Sequence, residues 1–314
     1  PFYRIRFDDG THFDYSNNDA AMLAQIAALN PADVQGFQNL MKASERCFEL
    51  GFQELGMVAF ESITDVIKAL PNLARMQAWR SIHSLVAQHI QHPKLRIVMS
   101  FHPLLIGGNP FSVTCIYSLI HILERRWGVH SAMGGTGAIV QALVNLLQER
   151  QVPIRYNTAV TRIQVDNGTA TGVVLDGGEV VPADIVVSNG DAAWTYQHLI
   201  EPQHRRHWND QRIAKGNYSS GLFVWYFGTN RQYTDVPHHM MVLGPRYKGL
   251  LQDIFKNHKL SKDFSLYLYR PTATDPSLAP AGCDTFYALS VVPNLSSGTD
   301  WPTISDQYRD AIAS

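Results

Sequence analysis

A glycine-rich turn, Gly134-Gly135-Thr136-Gly137, divides this 314-residue chain into two stretches whose hydrophobic patterns demand different secondary structure. Ahead of it, apolar residues recur at helical spacing, as in Ser112 to Trp127, where Ile116, Leu119, Ile120 and Leu123 share a face. Helices are also expected over Asn17 to Asn30 and over Asp33 to Leu50, the second with Asn30 as its cap and Pro31 at the first helical position. Others are expected over Leu73 to Gln91, Pro93 to His102 and Ser62 to Leu70, the last opened by Ser62-Ile63-Thr64-Asp65, a capping box with Asp in place of Glu. Behind the turn, a helix through Arg150 gives way to short β-patterned runs: Pro153 to Tyr156, Ala159 to Val165, Thr171 to Leu175, Glu179 to Val181 and Ala183 to Ser188. Asp166-Asn167-Gly168 and Asp176-Gly177-Gly178 supply their turns. Four more strands are expected at Leu222 to Gly228, His239 to Leu243, Ser265 to Tyr269 and Thr285 to Val292. The chain starts in a hairpin around Asp8-Asp9-Gly10, and Ile304 to Ala313 reads as an amphipathic helix.

Such a chain is α/β, and its length suggests about two lobes. Hydrophobic residues make up 45% and charged residues 17%, enough to bury a sizeable core. A formal net charge of −1, with no basic and aromatic tract, argues against nucleic acid as a partner. Cys47, Cys115 and Cys283 are widely spaced and form no Cys-x-x-Cys pair, which points to a reducing cytoplasm and to neither a disulfide framework nor zinc. Thirteen histidines include the pairs His89 and His92, His204 and His207, and His238-His239, but none has metal-ligand spacing; they read as solvated or packed residues, and no metal is expected. There is no Gly-x-Ser-x-Gly for serine-based hydrolysis. No apolar run reaches the roughly 18 to 20 residues of a spanning helix, so any meeting with a membrane is expected at its surface.

Three motifs follow one another at fixed spacing: Gly108-Asn109-Pro110-Phe111, then Ile116-Tyr117-Ser118-Leu119-Ile120-His121-Ile122-Leu123-Glu124, then Gly134-Gly135-Thr136-Gly137-Ala138. With Met76-Gln77-Ala78-Trp79-Arg80-Ser81, Tyr226-Phe227-Gly228, Gly244-Pro245-Arg246-Tyr247 and Asp263 to Leu268, they make the chain resemble the bacterial phytoene desaturases over nearly its whole length. The resemblance implies a flavoprotein of the amine-oxidase-like superfamily, with the fold of an FAD oxidoreductase that has two dinucleotide-binding domains. It implies a mostly helical substrate lobe at 1–133, part of an FAD lobe at 134–200, and the mixed sheet of the substrate lobe at 201–314. It also implies desaturation of phytoene toward lycopene, with desaturated carotenoid intermediates, oxygen or a quinone as electron acceptor, and a cytoplasmic protein peripheral at the membrane. Pro1 is not a start methionine, and no Gly-x-Gly-x-x-Gly is present, so an internal piece that does not hold FAD by itself is expected. Other chemistries of the same superfamily remain open: a carotenoid isomerase, a carotenoid oxidase or a retinol saturase. A non-catalytic lobe is a further alternative.

A flavin enzyme acting on a hydrocarbon needs binding and orientation more than acid–base groups, so an apolar tunnel is expected rather than a triad. By resemblance, Val160 stands where related folds pass backbone against the adenine of FAD; by pattern alone it is a strand valine. Gly134 and Gly135 let the backbone approach flavin or substrate, or else simply open a helix. Asp65 and Lys68 share a helix face. The resemblance makes them candidates for polarising or protonating the polyene, with Lys68 where its relatives carry Arg, while an ordinary surface ion pair is the alternative. Leu50 to Phe60, with Arg75, Trp79 and Arg80, reads either as an interfacial surface or as buried helix packing.

Overall fold

The computed structural model describes residues 1–314. Strands β1 (Tyr3–Arg6) and β2 (His12–Tyr15) form the expected hairpin, with Ile5 opposite Phe13. Their period of two sends Tyr3, Ile5, Phe13 and Tyr15 into the core. Helix α1 (Asp19–Leu29) starts where the Asn18 side chain accepts the Ala21 N–H. Asn30 ends α1 rather than capping the next helix: its N–H donates to the Ile26 carbonyl, and α2 (Asp33–Cys47) starts after Ala32 with no side-chain cap. The Asp33 carboxylate instead accepts the N–H groups of Gln91 and His92 at 2.6 and 2.8 Å, tying the start of α2 to a distant loop. Gly36 lets α2 pass that loop, since a Cβ there would stand 1.9 Å from the His89 carbonyl oxygen. A π-helical stretch, Phe48–Glu54, follows.

Helix α3 (Ile63–Arg75) opens at the expected capping box and runs past Leu70, through Pro71. The long helix expected over Leu73 to Gln91 is interrupted. The chain turns over residues 76–81, with Gln77 at φ +55°, and α4 (Ile82–His89) begins afresh at Ser81. The reason is tertiary: the turn's carbonyls are taken by a segment more than thirty residues away. Thr114 Oγ1 donates to the Ala78 carbonyl at 2.7 Å and the Cys115 N–H to that of Arg80 at 2.8 Å. The other two long helices are also divided. Helix α5 (Pro93–Val98) is followed by a 3₁₀ turn, His102–Ile106, and α6 (Leu119–Trp127) is preceded by another, Cys115–Ser118. Helix α7 (Thr136–Glu149) lies where expected.

The chain forms two compact units, one of Pro1–Ile139 with Ser219–Ser314 and one of Val140–Tyr218. These divisions differ from those expected at 133/134 and 200/201. The stretch after 200 is tied to the smaller unit by contacts that include Arg162 donating to Glu201 at 3.1 Å and Trp208 stacking on Tyr196 with ring centroids 5.7 Å apart. In the smaller unit, β3 (Val160–Asp166), β4 (Thr169–Leu175) and β5 (Val180–Pro182) form an antiparallel meander through the expected Asn-Gly and Gly-Gly turns. The runs expected as strands at 153–156 and 183–188 belong to no sheet. A strand needs a partner, and past the Ala183 N–H, which donates to the Thr171 carbonyl at 3.0 Å, the second run has none in the meander; its Ile185 and Val187 are 80% and 86% exposed. Short helices α8 (Ala192–Trp194) and α9 (Asp210–Ala214) complete this unit.

In the larger unit β6 (Gly221–Thr229), β7 (His239–Val242), α10 (Tyr247–Phe255), β8 (Leu266–Tyr269), β9 (Asp284–Val292) and α11 (Trp301–Ala313) follow. The six strands order as β2-β1-β7-β8-β9-β6; only β1 and β7 run parallel, so the sheet is mixed, as expected. No helix is long and apolar enough to cross a membrane.

Candidate active site

The sheet register builds a site that no single segment displays. Ile5 lies opposite Met241, Met241 opposite Tyr267, Tyr267 opposite Leu289, and Leu289 opposite Val224. Two residues along, toward the other end of the strands, the same face carries His239, Tyr269, Tyr287 and Tyr226. This second row is aromatic from strand to strand. Tyr269 and Tyr287 have ring centroids 4.7 Å apart, Tyr287 and Tyr226 5.5 Å, and Tyr3 of β1 reaches the His239 ring at 5.6 Å.

The first row, with Leu243, Val291 and Leu222 beyond it, is roofed by Leu250 and Leu251 of α10 and by Phe101, Leu104 and Leu105 around the 3₁₀ turn. Between sheet and roof lies a cavity of about 310 Å³, within the size range of ligand pockets. Leu105 and Leu222 line it and are also exposed, so it opens beside them. No Asp, Glu, Lys, Arg or His lines it; the lining residues with a polar side chain are Ser265, Tyr247, Tyr267 and Tyr287.

Tyr267 connects the cavity to the aromatic row: its hydroxyl lies 2.6 Å from His239 Nδ1. Burial, then the charge of neighbouring His238, pulls His239 down to about 4, so its imidazole is neutral at pH 7. Burial likewise drives the Tyr267 phenol well above its ordinary value. His238 faces away to polar partners, Nδ1 being 2.5 Å from Thr274 Oγ1 and Nε2 3.2 Å from Ser131 Oγ. Next to Thr274, the Asp275 carboxylate accepts the Gly134 N–H at 2.6 Å and the Ser277 hydroxyl at 2.6 Å, bonds that hold it below the usual carboxylate range.

Behind Tyr3 lies a buried polar cluster. The Tyr3 hydroxyl donates to Glu124 Oε1 at 2.7 Å, and His102 Nε2 lies 3.2 Å from Glu124 Oε2. His121 Nε2 donates to the Met99 carbonyl at 2.9 Å, which leaves Nδ1 to accept the Tyr15 hydroxyl at 2.7 Å. Full burial holds His121 down to about 3 and therefore neutral.

The residues singled out in the sequence lie in three places. Gly134 and Gly135 both adopt φ +81°, a left-handed conformation that favours glycine, and they lead directly into α7. Val160 begins β3 in the smaller unit, next to a bulge between Val160 and Arg162. Asp65 and Lys68 are on α3 and form no ion pair with each other. The Asp65 carboxylate accepts the Ser62 N–H at 3.0 Å and the Ser62 hydroxyl at 2.7 Å. The sequence reading missed Tyr267, His239 and the aromatic row. Its only signal for them was one tyrosine or histidine in each of β6, β7 and β9 and two at alternate positions of β8, and only the register brings those positions together.

A sequence profile described as flavin containing amine oxidoreductase matches residues 1–277. The chain belongs to that family. Among its relatives, the neurosporene-forming phytoene desaturase of Cereibacter sphaeroides is 45% identical, over 99% of this chain and 61% of its own length. The lycopene-forming phytoene desaturase of Pantoea ananas is 40% identical, over 99% of this chain and 64% of its own. The chain thus spans about three fifths of the length of these curated relatives. The fold matches a Pyrococcus furiosus protein at 15% identity with TM-score 0.59, over all of this chain and 64% of that one. It also matches an oxidoreductase of Methanosarcina mazei at 19% identity with TM-score 0.54, over 80% of this chain and 56% of that one. Family membership and fold agree with the mixed sheet and the meander described above.

Proposed function

We propose that the protein containing these residues is an FAD-dependent desaturase that converts phytoene toward lycopene by removing a hydride and a proton across carbon–carbon single bonds. The observation that carries this reading is the cavity, whose wall holds no ionised side chain. A hydrocarbon forms no hydrogen bonds, so it displaces water from such a wall without stranding a charge. The names of the relatives at 40–45% identity support the same substrate class.

FAD supplies the hydride acceptor when bound. The residues present fit part of it. At Gly134 and Gly135 a Cβ would already touch Ala138 Cβ at 3.5 Å and Leu278 Cδ2 at 3.8 Å, so it is the missing side chain that lets a flat group approach this backbone. The first turn of α7 favours electron-rich atoms. Val160 starts an edge strand whose outer side has no partner in its three-stranded sheet. We assign contact with FAD to Val160 in the smaller unit and, as a separate assignment, to Gly134 and Gly135 in the larger; the larger unit is read as the substrate lobe and the smaller as part of the FAD lobe. The pyrophosphate-cradling glycine motif is not among these 314 residues.

Within the larger unit, the roof over the cavity excludes water and the aromatic row offers π-faces to a polyene that becomes cationic as hydride leaves. Asp65, oriented by Ser62, and Lys68 are proposed to act on the polyene along its path. We infer further that the protein is cytoplasmic and peripheral at a membrane, with oxygen or a quinone as terminal acceptor. The support for a membrane surface is α3, whose Ile63, Val66, Ile67 and Leu70 recur at helical spacing and are all exposed, next to exposed Met57 and Phe60.

The test is expression of the full reading frame in cells that accumulate phytoene, with absorption spectra of their pigments compared with an empty-vector control. New long-wavelength bands are expected. A colourless extract from well-expressed, FAD-loaded protein would overturn the reading, and an isomerised product with unchanged double-bond count would replace it.

A further inference from the structure

Loss of hydride from a hydrocarbon leaves a carbocation, and the double bond is complete only when the neighbouring carbon gives up a proton. A dry wall without carboxylates must still supply an acceptor for it. Four lining residues carry a hydroxyl. Ser265 Oγ accepts the Gly244 N–H at 3.1 Å and has no base behind it. The Tyr247 hydroxyl is buried without a partner, and the Tyr287 hydroxyl is bonded to that of Tyr267 rather than to a nitrogen base. Tyr267 alone has a hydroxyl in hydrogen-bond contact with an imidazole nitrogen.

We propose that Tyr267 and His239 form the relay that receives the substrate proton; this rests on the reading of the cavity as a desaturation site. The C–H bond breaks toward Tyr267 Oη and its electron pair becomes the second bond of the alkene. In the same event the phenolic proton moves to His239 Nδ1, leaving a neutral tyrosine and an imidazolium. The hydride, with its own electron pair, has by then left to the flavin that the proposed function names as oxidant. Tyr267 touches substrate and is the catalytic residue; His239 acts through it.

Three features of the site suit this step. A proton next to a carbocation is far more acidic than an imidazolium, so a weakly basic imidazole suffices provided it is neutral, and burial keeps His239 neutral. The Tyr3, Tyr267 and Tyr269 rings have centroids 5.5 to 5.9 Å from that of His239 and offer π-faces to the cation that forms there. The register also fixes the relay on a rigid platform: Tyr269 is paired with His239 and Met241 with Tyr267 across two adjacent strands.

The test uses the full-length, flavin-loaded protein with phytoene in vesicles. Tyr267→Phe and His239→Gln are expected to keep their flavin and a KM for phytoene within about twofold, while kcat falls about 10²- to 10⁴-fold. Deuterium at the proton-losing carbon should then slow both variants more than the wild type. A kcat within about threefold of wild type in both variants overturns the relay, as does a loss accounted for by flavin content or KM. Nitrogen-15 spectra of the wild type provide a check that needs no variant to fold: the relay requires His239 protonated at Nε2 and bare at Nδ1, and the opposite tautomer excludes it. A wild type that binds flavin but leaves phytoene unchanged removes the desaturase reading itself, and the relay with it.

Discussion

The larger unit carries two apolar surfaces of similar composition and opposite fate. One is the sheet face with Ile5, Met241 and Leu289, which α10 and the 3₁₀ turn after Phe101 cover to leave a cavity. The other is the α3 stripe, where Ile63 is 79% exposed and Ile67 58%. Nothing in the residues themselves separates the two cases. The covered face is carried by β1, β7 and β9, each paired with a strand on both sides. The stripe is on a helix whose local signals, the capping box and the periodicity, make it a helix without specifying what it packs against. A covered apolar face contributes to stability, whereas an uncovered one is available for an interaction.

The largest expected effect tests how firmly the sheet that carries the covered face is held. Asp284 at the end of β9 is buried and accepts from Thr272 Oγ1 at 2.5 Å, the Tyr233 N–H at 2.7 Å and Arg270 at 3.1 Å. Burial alone would raise its pKa, but these donors and the Arg270 charge outweigh burial and hold it below the usual range. Asp284→Ala strands the buried Arg270 and should lower the unfolding free energy in urea by about 3–5 kcal/mol. A loss under about 1 kcal/mol would mean that the sheet does not depend on this pair.

The comparison itself is tested by truncating one leucine-sized side chain on each surface. Leu251, 2% exposed in the cavity roof, should cost about 2–5 kcal/mol on conversion to Ala, whereas Ile67→Ala should stay within about 0.5 kcal/mol. Equal costs would mean that the stripe is covered in the folded protein. Ile67→Glu then asks what the stripe meets: vesicle co-sedimentation of the full-length protein should fall about tenfold or more, since one buried side chain contributes about 1.5–3 kcal/mol. Unchanged sedimentation would remove the membrane from the proposal while leaving the cavity intact.

The smallest effect is on pH dependence. An unfolded histidine titrates near about 6.5, whereas folded His121 and His239 are held down to about 3 and about 4. The stability gained by keeping them neutral is therefore complete above pH 6.5 and is lost as pH falls toward the folded values. From pH 7 to 5.5 each histidine should cost about 1 kcal/mol, and His239→Gln should remove its own share of that slope. A stability that holds steady or rises over this range would contradict the buried, neutral assignment.

Much of the architecture was legible in the residues. The hairpin around Gly10, the Ser62–Asp65 box and the Asn167-Gly168 turn rest on contacts within a few residues, and β6, β7, β8 and β9 show as runs of strand-forming residues even though their pairing partners are distant. The break after Arg75 did not, because the Ala78 and Arg80 carbonyls are claimed from Thr114 and Cys115. The candidate site was legible in kind, as an apolar cavity without a triad, whereas Gly134, Gly135 and Val160, singled out by resemblance, do not line it.

The chain alone determined its two kinds of secondary structure, its main turns and, through its motifs, its family. Tertiary structure alone decided that Tyr267 meets His239, that one row of the sheet is aromatic while the next encloses a cavity, and that α3 keeps its apolar stripe uncovered. The physical reason is that propensity, capping and turn chemistry act over a few residues, whereas register and roofing depend on strands and helices that the sequence separates by tens to hundreds of positions.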